Sequence, residues 1–279
     1  DVSNVLAAIQ WVVSFRESYG IKVLNLSLGT DGTQSYRSDP LNYAVEKAWD
    51  SGITVVVSAS NRGPAAGTIA KPGDDPLVVT VGATDDRGTA SLNDDRIPDF
   101  SGRGPTVADG LAKPDVAAPG AHIVSLRAPG SAIDTLFPTY VDGAYRRGSG
   151  TSMSAAAVSG AAALLAGANP SWSPNRIKFA LTSGARPVGG GSASEVGAGS
   201  VDVAQAMTAP AGEANAGVVR SNGLGTLDAS RGTVTVQMDD PLATVVSGAL
   251  TAQVLLYDPL EYVGVEWTGA KWYGAKWYG

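Results

Sequence analysis

Residues Gly148 to Gly160 read Gly-Ser-Gly-Thr-Ser-Met-Ser-Ala-Ala-Ala-Val-Ser-Gly, which sets Ser152 at the end of a glycine-rich turn where a small-residue helix begins. That layout suits a nucleophile. Glycines let the backbone turn sharply and keep bulk away from the hydroxyl. The first turn of a helix offers unpaired N–H groups and a partial positive charge to an incoming oxyanion. On spacing alone, a serine at a helix start is more often an N-cap than a nucleophile. A serine hydroxyl is also inert without a base. The chain has a single histidine, His122, and it reads as a surface or half-buried structural residue. The residues alone thus supply half of a catalytic device.

The elements that would carry this serine can be read from periodicity. Val5, Ile9, Val12, Val13 and Arg16 fit one side of a helix over residues 3–18, closed by Gly20. Ile21 to Leu28 reads as a strand. Asp39-Pro40 is an N-cap followed by a first-turn proline, opening a helix that Gly52 closes. Ile53 to Val57 and Leu77 to Val81 are continuous apolar runs, as expected of strands covered on both faces. This order predicts an α/β fold with a mostly parallel sheet and helices packed on both faces. Residues 99–120 are rich in Gly and Pro and read as irregular chain with short extended pieces. His122 to Leu126 reads as a strand. The helix near Ser152 runs to about Gly167. Ser173-Pro174 caps another helix ending near Gly184, and a short one covers 203–207. Residues 210–215 read as a linker, and 216–256 favour short strands. From Trp267 a five-residue Trp-Tyr-Gly repeat runs to Gly279. The domain reading is therefore 1–209, a β-rich extension at 210–266, and a repeat tail at 267–279.

Composition narrows the function classes. With 279 residues, 35 of them glycine, and 16% charged residues, the chain is a loop-rich globule with a real core. Its net charge of −6 and lack of basic clusters argue against nucleic acid. It has no cysteine, so no thiolate chemistry or disulfide framework is open to it. The longest apolar run, Ala155 to Ala168, falls short of a membrane span. Asp1 is not an initiator methionine and Gly279 falls in mid-repeat, so both ends are expected to be cuts in a longer polypeptide.

Four separated stretches resemble the subtilisin-like serine peptidases, in that family's order. They are Val23-Leu24-Asn25-Leu26-Ser27-Leu28-Gly29, then Ser51 to Asn61, then Lys113-Pro114-Asp115-Val116-Ala117-Ala118-Pro119-Gly120, and Gly150-Thr151-Ser152-Met153-Ser154. The later Arg220-Ser221-Asn222-Gly223 and Ala229-Ser230-Arg231-Gly232 look most like secreted actinobacterial members. The resemblance implies the C-terminal part of a subtilisin-like domain, its N-terminal portion missing. It implies a serine endopeptidase with Ser152 as nucleophile and Asn61 as oxyanion-hole side chain. It further implies Ser27, Leu28 and Gly29 as an extended substrate wall, and Ser58, Ala59 and Ser60 as one wall of the primary specificity pocket. The family's catalytic aspartate and histidine would lie upstream of the first stretch, so the isolated piece is expected to be nearly inactive. The chain departs from the family after the nucleophile, where Ser154-Ala155-Ala156-Ala157 replaces the usual Ala-Ser-Pro-His.

Without the resemblance, Asn61 is an ordinary turn asparagine, and Ser27 and Gly29 merely end a strand. No cofactor or catalytic metal is implied. Asp31, Asp39, Asp74 and Asp75 are candidates for structural calcium, which family members often hold, although solvated loop carboxylates are commoner. The expected partner is a polypeptide substrate, with cell-wall or glycan contact through the aromatic tail, and the expected location is outside a bacterial cell. The rival reading is a non-catalytic peptide-binding or wall-associated module that keeps a protease-like shell. An esterase is disfavoured, because Ser152 lies in no Gly-x-Ser-x-Gly elbow.

Overall fold

The structure, a computed structural model, describes residues 2–91 and 93–233. Four parallel strands form the central sheet in the order β1 (Val23–Leu26), β2 (Thr54–Ser58), β3 (Val79–Thr84) and β4 (Val116–Pro119). Registers such as Leu26↔Val57, Ser58↔Val81 and Thr84↔Pro119 line their C-terminal ends up along one edge. β2 and β3 are buried along their whole length, as continuous apolar runs require.

Helices cover both faces. Successive side chains of a strand point to opposite sides. A Cβ at Gly82 would lie 2.8 Å from the Glu195 carbonyl oxygen on α6 (Ala193–Val196). The next residue, Ala83, faces the other way, 2.8 Å from where a Cβ on Gly120 would stand beside Ser154. Ser154 belongs to α4 (Thr151–Ala168), which crosses all four strands and buries Ala155, Val158, Ala161, Ala162 and Leu165. By length and composition α4 is apolar enough to span a membrane, at a mean hydropathy of 1.3 over 18 residues. It is longer than the expected run from Ala155, because Thr151 to Ser154 are helical too. Lying across a sheet, it is placed as a core helix.

α1 (Val2–Tyr19) buries Val2, Leu6 and Ile9, spaced four and three apart on one face. Of the expected stripe, Ile9 is buried and Val5 and Val13 are partly buried against the same core, with Val2 and Leu6 added beside them. α2 (Pro40–Asp50) starts where expected, with the Asp39 carboxylate accepting from the Leu41 and Asn42 N–H groups. α5 (Pro174–Ser183) and α7 (Val203–Met207) pack against each other. The chain enters α4 from an antiparallel sheet, ordered β5 (Ile123–Leu126), β7 (Tyr145–Gly148), β6 (Val141–Asp142), with α3 (Ala132–Leu136) between β5 and β6.

Two expectations change. The first strand is shorter than 21–28, because Ser27 leaves the sheet to bond α4. Residues 216–233, expected as strands, form turns and the short α8 (Leu227–Arg231). Their backbone groups bond loop carbonyls and carboxylates, such as Asn222 N–H to Arg37 O, instead of a neighbouring strand. The remaining expected strands and the aromatic tail lie outside the described residues.

Buried charge ties loops together at both ends of the sheet. The Lys71 ammonium is 1% exposed, 2.6 Å from Asp74 and 3.4 Å from Asp39. Asp115 sits between Lys113 at 2.6 Å and Lys178 at 2.9 Å. Glu46 on α2 accepts the Ser221 N–H with both oxygens, at 3.0 Å, and burial pushes its pKa up. Burial and then the charge of Glu46 push Asp75 up to about 7. Both carboxyls hold a proton more tightly folded than unfolded. The stability they contribute is therefore full below about pH 4 and falls as pH rises, that of Asp75 being lost through about 7. Glu46→Gln keeps an acceptor for Ser221 and removes one charge from this pair. The variant is expected to melt about 5 °C above the parent chain at pH 7.5, or roughly 1–2 kcal/mol, and by less than half of that at pH 5. Thermal melts at the two pH values check this, and equal shifts contradict it.

Candidate active site

Asn61 stands three residues beyond β2, aimed by an unusual backbone. Ser60 adopts φ +122°, a conformation L-residues rarely take. Its hydroxyl donates to Thr68 O. Asn61 Oδ1 then accepts from Thr151 N at 2.9 Å and from Thr151 Oγ1 at 3.0 Å. A backbone N–H can only donate, so the amide oxygen must face Thr151. That fixes the orientation of Asn61 and turns Nδ2 the other way, over Gly150. A Cβ on Gly150 would come within 3.1 Å of Nδ2, and the residue has φ +155°. Glycine there leaves the donor uncovered.

Ser152 is the second residue of α4. Its helix has Gly150 as N-cap and no side-chain cap. Among the described residues the Ser152 N–H makes no hydrogen bond, as first-turn groups without a cap do not. Its hydroxyl is half-buried and donates at 3.4 Å to Ser27 O, while Ser27 Oγ donates back to Ser152 O at 3.0 Å. Two unspent donors, the Asn61 amide over Gly150 and the Ser152 N–H, therefore lie at the helix N-terminus that carries the Ser152 hydroxyl. Free N–H donors at a helix N-terminus can stabilise negative charge that forms beside them.

The residues expected to line a substrate cleft surround this centre. Ser27 and Gly29 are exposed and Leu28 is half-buried. Gly29 is required by space, since a Cβ would lie 2.7 Å from Ala70 Cβ and 3.0 Å from Lys71 O. Thr30 and Lys71 exchange backbone hydrogen bonds at 3.0 Å, which fastens the end of this segment. Of the residues expected to form the specificity-pocket wall, Ser58 and Ala59 are buried and Ser60 is half-buried. A cavity of about 120 Å³ is lined by Asp31, Gln34, Arg62, Ile69 and Val107 among others, so the loop after Gly29 and the residue after Asn61 share it. Arg62 and Asp31 stand 3.9 Å apart across it.

Sequence reasoning missed Thr151 as the clamp on Asn61 and Arg62 as a cavity residue. The signal for Thr151 was its place directly before Ser152, while Arg62 carries no local signal. His122 is exposed, has φ +59°, and donates its N–H to Ser149 Oγ at 2.9 Å. It makes no hydrogen bond to Ser152.

The four carboxylates named for calcium are already engaged by protein donors. Asp39 and Asp74 share the Lys71 ammonium, and Asp75 accepts from Leu77 N and Asn42 Nδ2. Asp31 accepts from Thr233, whose hydrogen bonds hold its pKa down against burial and with help from Arg62. A buried ammonium lies between Asp39 and Asp74, so that pair does not fit a calcium ion. Among the described residues no group of three or more His, Cys, Asp or Glu is placed to hold a metal.

A Peptidase_S8 family model, described as the subtilase family, matches residues 1–200. The chain belongs to the subtilase family. This subtilase is 42% identical over 189 residues to serine protease AprX of Bacillus subtilis (strain 168), covering 66% of the chain and 42% of AprX. It is 33% identical over 189 residues to subtilisin Savinase of Lederbergia lenta, covering 68% of the chain and 56% of that relative. The solved structure of the prenylagaramide maturation protease PagA superposes with a TM-score of 0.57 at 25% identity, covering 75% of this chain and 67% of that one. The subtilase described here thus spans about half the length of these two sequence relatives. The α/β architecture read from the strand and helix order is the subtilisin-like fold.

Proposed function

We propose that this chain carries the nucleophile and the oxyanion hole of a serine endopeptidase. The observation that carries the reading is the clamp of Asn61 Oδ1 on Thr151, the residue before Ser152, which leaves Nδ2 uncovered over Gly150. Ser152 Oγ attacks the scissile carbonyl carbon while its proton passes to a histidine base. The carbonyl oxygen becomes an oxyanion held by Asn61 Nδ2 and the Ser152 N–H. Collapse breaks the C–N bond, the histidine returns the proton to the leaving amine, and an acyl-ester remains on Ser152 for water to hydrolyse.

The base and its aspartate come from a region outside these 279 residues. The support is that Ser152 Oγ bonds only the Ser27 carbonyl among the described residues, and that longer relatives share the fold. The segment Ser27–Gly29 gives a polypeptide substrate an extended edge to pair with. An extracellular bacterial setting, in the manner of secreted actinobacterial subtilases, suits such an enzyme. The Trp-Tyr-Gly tail (267–279) is assigned to cell-wall contact.

A fluorophosphonate reagent tests the reading. In the protein extended by its upstream region, mass spectrometry is expected to find one adduct, on Ser152. An intact, folded, extended protein with no adduct at Ser152 identifies the non-catalytic peptide-binding shell instead.

A further inference from the structure

Residues 220–233 lie beyond the stretch matched by the family model, yet they are tied to the loop that continues the cleft wall. Asn222 N–H donates to Arg37 O at 2.8 Å and Gly225 N–H to Ser38 O at 2.6 Å. Ser221 bonds Glu46 through its N–H and Asp39 O through its hydroxyl, the latter at 3.1 Å. Ser230 is fully buried and joins two elements. Its hydroxyl donates to Asp39 Oδ1 at 2.9 Å, and its carbonyl accepts from the Thr30 hydroxyl. Thr233 holds both oxygens of Asp31. A Cβ on Gly32 would collide with the Ala229 and Ser230 carbonyls, so loop and strap are in direct backbone contact.

Thr30 follows directly on Ser27-Leu28-Gly29, and Asp31 to Gln34 line a cavity together with Arg62, the residue after Asn61. A loop of this kind, with Gly29 and Gly32 in it, has little side-chain packing of its own. Its order is supplied from one side by Lys71 through Thr30 and from the other by the strap. We propose that the strap, residues 220–233, is a positioning element of the substrate cleft, with Ser230 as its central residue. It touches no reacting atom. It acts by holding Thr30 and Asp31, so that the wall from Ser27 to Gln34 is set before substrate arrives and less ordering is needed on binding. The inference rests on the reading of Ser27–Gly29 as a substrate wall.

Amide hydrogen exchange on the 279-residue chain tests the brace itself. Ser230→Ala, and separately the near-isosteric Thr30→Val, are expected to speed exchange of residues 28–34 by about tenfold or more. Amides of α4 should change less than about twofold, and Ser230→Thr, which keeps the hydroxyl, should restore protection. Unchanged exchange at 28–34, or an equal rise through α4, overturns the proposal. In the protein extended by its upstream region, Ser230→Ala should raise KM for fluorescein-labelled casein about fivefold with kcat unchanged. A fall in kcat with KM unchanged also overturns it. Absence of hydrolysis by the unsubstituted extended protein would sink the peptidase reading, and the exchange result would still decide whether the strap braces the wall.

Discussion

Asn61→Asp, in the protein that also carries the histidine base, is expected to lower kcat by about 10²–10³ while KM moves less than about threefold. The magnitude is that of losing the side-chain oxyanion donor in subtilisin itself. Aspartate is the informative replacement because Asn61 has two jobs. Its Oδ1 accepts from Thr151 N and Oγ1, which fastens the start of α4 to the loop after β2. A carboxylate keeps that acceptor and so keeps the helix in place. At the other end it puts a negative oxygen where an N–H stood, facing the developing oxyanion. Ground-state binding of the peptide is little affected, because the donor is needed only once charge has formed. Leucine would remove both functions and leave two Thr151 donors unpaired, at a cost of about 1–3 kcal/mol each in stability. Steady-state kinetics of the aspartate variant with a melt of matching Tm isolates the catalytic effect. Retention of kcat within about fivefold contradicts the assignment of Asn61.

Ser152→Ala is expected to have two different outcomes in two proteins. With the upstream region present, kcat should fall by about 10⁶, the size of the loss known for the subtilisin nucleophile. In the 279 residues alone, the same substitution should change residual peptide hydrolysis by less than about twofold. Members of a catalytic set act as a unit, so removing the nucleophile costs nothing more once the base is gone. What remains in either case comes from the oxyanion donors and from binding. Progress curves for the four proteins, with and without each change, check this. A large loss in the isolated chain would mean that a base for Ser152 lies within it.

The turn that presents Ser152, and the loop that brings Asn61 to it, were legible because their signals are local. Gly148-Ser149-Gly150-Thr151-Ser152 announces a tight turn into a helix, and the small residues after it announce a helix that must lie close to something. The buried strands were legible too, since Val55-Val56-Val57 and Val78-Val79 leave little choice. What was not legible depended on partners far along the chain. Lys71 gives no local hint that it will be buried between Asp39 and Asp74. Ser221 and Ser230 carry no periodicity, and the valines and glycines around them read as strand until the loop at 30–39 competes for their hydrogen bonds. The expected strand over 21–28 ends at Leu26 for the same reason, since Ser27 finds a better partner in Ser152 than in β2. On α1 the spacing found Ile9, whereas the burial of Val2 and Leu6 beside Val5 depends on the core they meet, which periodicity alone does not choose.

The most direct measurement is the structure of the upstream-extended protein with a peptide boronic acid bound. Boron bonded to Ser152 Oγ is tetrahedral, so one of its oxygens occupies the place of the oxyanion. That oxygen is predicted to lie about 2.7–3.1 Å from both Asn61 Nδ2 and the Ser152 N–H. A boronate joined to another residue, or one whose oxygen stands more than about 4 Å from Asn61 Nδ2, contradicts the account.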